Sequence, residues 1–239
     1  MRVRDQDRVS EVIADELRGA EPGEEPARLC AVAVRLLPVG GASTALSADG
    51  VPLLLGASDA RAEWLMAVQV TLGEGPCVRA AAIGAPVHAT ELTGGWDASR
   101  WPLFAPQAAA AGIRAIHALP LGAGSRTPCV GTLDLYCEVP GALTRGDLRV
   151  AHTVAAATVD VLLSLARHAD GARLWPGPSA ADHAEMNQAV GMVMAQLRVD
   201  ADEALVRLRA RAFVQGRTVR DLAHEVVSRR RTPYDLYGE

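Results

Sequence analysis

Between Met186 and Arg231 an apolar stripe at helical spacing recurs three times, and two of the three are introduced by a capping pattern. Met186, Val190, Val193 and Leu197 are separated by four, three and four residues, one face of a helix with a 3.6-residue period. Asp200 followed three residues later by Glu203 is a capping-box pattern, and the stripe Ala201, Ala204, Leu205, Leu208, Ala212 runs from it to Gly216. Thr218 with Asp221 repeats the pattern ahead of Val219, Leu222, Ala223, Val226 and Val227. Small residues at Ala189, Gly191, Ala204, Ala212 and Ala223 let thin helices approach closely. The segment must therefore fold as three short packed helices. A unit of about 45 residues buries only a marginal core, which predicts support from a second surface such as a dimer partner.

Charge is segregated in the same way. Residues 185–231 hold nine Arg against six Asp or Glu, whereas the whole chain carries a net −4. All 24 basic residues are arginine, so no lysine is present. That excludes enzymes that place a lysine ammonium at the reacting centre: phosphate-loop NTPases, protein kinases and pyridoxal-phosphate enzymes. It also argues against an intact phosphoryl-receiver domain. An arginine-bearing helical unit of this size matches the scale of a nucleic-acid-binding module.

The motifs AxGMxM in the first helix, EAxxxLRxxA in the second and GRTVxDxA opening the third resemble an ANTAR domain, the RNA-binding module of transcription antitermination regulators. The resemblance covers about 45 residues. It implies binding to paired RNA stem-loops in a leader transcript, in which an antiterminator is stabilised. On family-matching positions, the polar candidates for RNA contact are Gln188, Arg209, Arg217 and Thr218. Guanidinium groups there can pair phosphates bidentately or stack on unpaired bases. The chain departs from the family at Val190, where many relatives carry a lysine.

Upstream, elements alternate. The spacing predicts a helix over 27–37, strands over 41–48 and 51–56, a helix capped by Asp59, a glycine loop TLGEGPC and a short helix over 78–83. A strand over 86–89, a helix over 103–111, strands over 114–121 and 129–139 and a long helix over 145–167 follow. With TLGEGPC, WPLFAP, AIHALPL and VGTLDLYCEVPGALT as landmarks, this stretch resembles a GAF domain over about 130 residues. The resemblance implies an antiparallel sheet with flanking helices and a small-molecule pocket, without identifying the ligand or any cofactor. The expected fold class is α+β: a GAF-type domain followed by a three-helix ANTAR module. Boundaries are read as an N-terminal helix and loop over 1–25, a sensor domain over 26–168, a linker over 169–182, the RNA-binding module over 183–231 and a tail over 232–239.

Two residues are sensing candidates. Cys77 follows the glycine loop at a helix start, where backbone amides favour a thiolate, and a partly buried packing residue is the more common alternative at such a place. His117 sits in an apolar strand, with His88 in another; imidazole is a common haem or metal ligand, though a lone strand histidine is more often hydrogen-bonded structure. Cys129 and Cys137 share one face of the last strand with its leucines. They lie roughly 26 Å apart at about 3.3 Å per residue and cannot bridge. No CxxC pair or histidine pairing marks a metal site, and no nucleophile elbow marks an enzyme. Leu148, Ala151, Ala155, Thr158, Leu162 and Leu165 form a heptad-like seam, which fits either a dimer partner or the chain's own sheet. No apolar run approaches the ~18 residues of a membrane span, and the N-terminus lacks a signal sequence. The expectation is a cytoplasmic, homodimeric, non-enzymatic sensor-effector that binds tandem RNA stem-loops. The alternatives are a DNA-binding helical regulator, which the two acids of TVRDLAHEVV disfavour, and a dimerisation or docking scaffold.

Overall fold

In the computed structural model, which describes residues 2–48, 51–122, 129–168 and 178–228, the strands form one antiparallel sheet. They are β1 (Gly41–Ala48), β2 (Val51–Ala57), β3 (Val87–Ala89), β4 (Ala115–Leu121) and β5 (Gly131–Cys137), in the spatial order β2-β1-β5-β4-β3. Every residue of β5 is buried, because the central strand is covered on both faces. Period-two alternation sorts its side chains. Leu133 and Leu135 join the apolar cluster beneath α1 (Arg2–Leu17), α2 (Glu25–Leu36) and α7 (Arg145–His168). Tyr136 faces the opposite cluster, which includes Leu65, Ala80 and Phe104. That layer is built from α3 (Ala60–Leu72), α4 (Pro76–Ile83), α5 (Gly95–Arg100) and α6 (Phe104–Ala110).

Local chemistry explains the ends of α3. The Asp59 carboxylate accepts from the amides of Arg61 and Ala62 at 2.8 and 3.0 Å, so the predicted cap is formed. Gly73 ends the helix in the left-handed region at φ 65°. At Gly56, β2 comes so close to α2 that an added Cβ would lie 2.4 Å from the backbone nitrogen of Ala27.

Four particulars differ from the sequence expectations. Helix α5 was not anticipated. Cys129 lies before β5 rather than within it, is only partly buried, and its thiol reaches the Gly131 carbonyl. The α7 segment Arg145–Leu165 is long and apolar enough to cross a membrane, with a mean hydropathy of 1.4. Yet its Ala151, Val154, Ala155, Thr158 and Leu162 are buried against α1, α2 and the sheet, so the heptad-like seam packs within its own domain. Finally, helix α8 spans Pro178–Leu197 and so begins inside the stretch read as linker. Residues 169–177 and 229–239, which hold the rest of that linker, Arg229 to Arg231 and the tail, lie outside the described residues.

After α8 come α9 (Ala201–Val214) and α10 (Val219–Val227); Thr218 and Asp221 form the full capping box that their pattern predicts, whereas at Asp200 only the Asp side chain caps and the Glu203 carboxylate pairs with Arg207 instead. Ala189, Val193, Ala204, Leu208, Ala212, Leu222 and Val226 form the core between the three helices. This core continues without a break into Ala45, Met66, Val70 and Cys77 of the sheet domain. The surface that supports the thin helical unit is therefore α3 of the same chain.

Two glycine substitutions report on this packing with opposite signs. Gly56→Ala is expected to destabilise by about 1–3 kcal/mol, since backbone must move to admit the methyl group. Gly191→Ala, in a helix with open space around its Cβ position, is expected to stabilise by about 0.5–1 kcal/mol. Urea unfolding midpoints of the two variants check both.

Candidate nucleic-acid interface

The four polar residues expected to meet RNA occupy different environments. Gln188 is exposed on α8. Thr218 caps α10: its hydroxyl accepts from the Asp221 amide at 3.1 Å, and the Asp221 carboxylate accepts from the Thr218 hydroxyl and amide. Arg217 is drawn back along α10 by an ion pair with Glu225 at 2.7 Å. Arg209 points at the sheet domain, where its Nε donates to the Val70 carbonyl at 2.9 Å. Only Gln188 among the four is both open and without a structural task on its own helix.

The contact made by Arg209 follows from helix chemistry. Carbonyls in the last turn of a helix lack intrahelical partners and sit at the negative end of the helix dipole, where a cation is favoured. Val70 lies in the last turn of α3, and an added Cβ at Gly73 would approach Nη1 of Arg209 to 3.1 Å. Burial pulls the Arg209 guanidinium below its ordinary value, though an arginine remains charged. The reciprocal contact joins the other helix end. Val219 is the first residue of α10, and its amide, one of the orphan donors of a helix start, donates to the Thr71 hydroxyl at 3.0 Å. Thr71 in turn donates to the Ala67 carbonyl. Arg220 adds contacts to Glu63 at 3.9 Å and Asp182 at 2.8 Å.

Neither Thr71 nor Val70 stood out in the sequence. The available signal was the run WLMAVQV in α3, apolar around most of the helix; such a helix is covered on more than one side.

The family model of the ANTAR domain matches residues 179–227. This segment is an ANTAR domain. The match spans α8, α9 and α10, including the Pro178-proximal turn that the motif reading placed in the linker. The rest of the chain has the fold of a GAF domain. It is similar to the GAF domain of a phosphoenolpyruvate-protein phosphotransferase from Acinetobacter, with a TM-score of 0.55, 14% identity, and coverage of 72% of this chain and 99% of that one. The corresponding domain of a phosphoenolpyruvate-protein phosphotransferase (ptsP) from Coxiella burnetii gives a TM-score of 0.53 at 14% identity, covering 70% of this chain and 97% of that one. No curated protein matches the chain.

Inside the GAF fold, Cys77 is completely buried, and burial pushes its thiol well above the ordinary range. That is the opposite of the direction expected from a helix start: desolvation of a thiolate outweighs the pull of the amides. Its thiol faces the Met66 sulfur at 3.5 Å, and its amide donates to Gln69. His117 stands directly across the β3–β4 ladder from His88, with their Nδ1 atoms 3.1 Å apart. Burial lowers His117 to about 4, so one neutral ring donates to the other. Its Nε2 is buried without a partner among the described residues. Among those residues no group of three or more His, Cys, Asp or Glu is placed to hold a metal ion.

Asp134 is the buried acid of this interior. Gln69 Nε2 donates to its Oδ2 at 3.1 Å, yet burial dominates and pushes the carboxyl up to about 7. An unfolded aspartate ionises at about 3.9. Between about pH 4 and about pH 7 the unfolded chain sheds this proton and the folded chain keeps it. The contribution to stability therefore falls as pH rises through that window and is level above it. Asp134→Asn is expected to remove this segment of slope and to be the more stable protein at about pH 8, as urea midpoints across the pH range would show.

Proposed function

We propose that the chain is a cytoplasmic RNA-binding antitermination regulator, in which the GAF domain responds to a signal and controls access of the ANTAR domain to tandem stem-loops of leader transcripts. The ANTAR match supports the RNA partner, and the GAF fold supports a small-molecule signal. The observation that carries the control step is the placement of Arg209 and the start of α10 against α3. In the docked arrangement Arg209 Nε donates to the Val70 carbonyl, so the bidentate edge that includes Nε is not open to a phosphate. A signal that weakens the α3 contact frees Arg209 and the α10 terminus together.

In this reading the protein acts as a homodimer, whose two modules match the two hairpins of the target. Gln188, Arg209, Arg217 and Thr218 form the RNA-facing set, and Cys77 and His117 remain the GAF residues through which a signal would be read. The role is regulatory rather than enzymatic.

The test uses labelled RNA with two tandem hairpins, beside a matched single hairpin and duplex DNA, across a salt series. Specific affinity for the tandem RNA is expected, and Gln188→Ala is expected to lower it about fivefold, the value of one ordinary hydrogen bond. Thr71→Ala lies in the GAF domain and removes the acceptor of the Val219 amide. It is expected to tighten RNA binding about fivefold by weakening the docked state. Equal binding to all three nucleic acids that vanishes with salt would show nonspecific charge attraction and overturn the assignment.

A further inference from the structure

Between the two domains runs a crevice of about 200 Å³ whose walls come from both sides. Leu54 of β2 with Met66 and Val70 of α3 form one wall, and Met186 of α8 with Val219 of α10 form the other. One end is charged. Glu63, Asp182 and His183 line it with a single guanidinium, Arg220, which pairs with Asp182 at 2.8 Å and stands 3.9 Å from Glu63. An adjoining polar hollow adds Glu185, Asp221 and Glu225, opposed by Arg217 and His224. The carboxylates outnumber the arginines there, although Asp182 is paired with Arg220, Glu225 with Arg217 and Glu185 with His224, and Asp221 accepts from Thr218. An apolar trough closed at one end by surplus carboxylate is complementary to a molecule with a short apolar body and a cationic head.

We propose that this crevice binds a small amphipathic amine and that its occupancy holds the ANTAR domain on the GAF domain. The walls face each other only while the domains are docked. A molecule in contact with both therefore binds the docked arrangement better than the open one, and shifts the balance towards it by that difference in affinity. The ammonium group sits beside Asp182, and the tail lies between Met66 and Met186. The site is distinct from the interior in which Gln69 holds Asp134 and the Cys77 amide, none of which lines the crevice. The regulatory half of the proposal rests on the RNA-binding reading above, and the ligand site itself does not.

The placement of methionines supplies the test. The chain has five, and Met66 and Met186 line the crevice whereas Met192 and Met194 do not. In the full chain labelled with carbon-13 at the methionine methyls, hexylammonium is titrated beside hexanoate and hexanol. Saturable shifts of Met66 and Met186, with Met192 and Met194 unmoved, are expected for hexylammonium. Asp182→Asn is expected to weaken that binding about fivefold to tenfold. Ala67→Phe, which fills the crevice from α3, is expected to abolish it while leaving the Met192 and Met194 signals in place. The site is overturned if hexanoate or hexanol binds as tightly, if Met66 and Met186 do not respond, or if all methionines respond together. Saturating hexylammonium is expected to weaken tandem-hairpin binding about fivefold or more in the parent chain and not in Ala67→Phe. Unchanged RNA affinity in a chain whose Met66 and Met186 do respond overturns the regulatory half. A chain that binds no RNA under any condition overturns the RNA reading, while the methionine signals still decide the site.

Discussion

Two helix ends in this protein are completed by side chains from the other domain. The last turn of α3 offers the Val70 carbonyl to Arg209, and the first amide of α10 finds the Thr71 hydroxyl. Buried helix termini without partners are costly, so each domain supplies what the other lacks. The polar exchange lies within a shared apolar seam, where Met66 and Val70 extend the core of the three small helices. Burying such side chains contributes roughly 1.5–3 kcal/mol each. For a three-helix unit with a marginal core of its own, that surface is a substantial share of its stability. A folded ANTAR domain and a docked one are therefore closely linked properties.

This linkage gives the regulatory reading its physical content. Under the proposed function the guanidinium that holds the Val70 carbonyl in the docked chain is also one assigned to the RNA, so the two engagements of Arg209 oppose each other. No long-range pathway through the sheet is required, since α3 carries the docking contacts on one side and packs on the GAF interior on the other. Gln69 of α3 holds both Asp134 of β5 and the Cys77 amide at the start of α4. A change in that interior has only one helix to cross.

Much of the architecture was legible in the chain. Asp59, Asp200 and Thr218 each start a helix by accepting the backbone amides that their spacing predicted, and Gly73 closes α3 in the left-handed conformation. Alternation in β5 sorted Leu133 and Leu135 from Tyr136 correctly, because period two survives even when both faces are buried. The candidate interface was less legible. Stripes identify which face of a helix is buried, but not against what, so the support for the ANTAR core was looked for in a dimer and is found in α3. Arg209 carried the right charge for RNA, and nothing in its neighbours along the chain announced the Val70 carbonyl 139 residues away. The place of Cys77 at a helix start points to a lowered thiol, whereas burial, a tertiary property, sets the direction of its titration. The heptad-like seam of α7 was ambiguous for the same reason.

The central claim is that docking on α3 and binding to RNA compete. Backbone hydrogen exchange of the full chain, followed through residues 66–73 with and without saturating tandem-hairpin RNA, tests it directly. The account predicts faster exchange in this stretch of α3 when RNA is bound, because the helix loses its cover. Unchanged or slower exchange in α3 with RNA fully bound would contradict it, since the ANTAR domain would then be meeting RNA while still seated on the GAF domain.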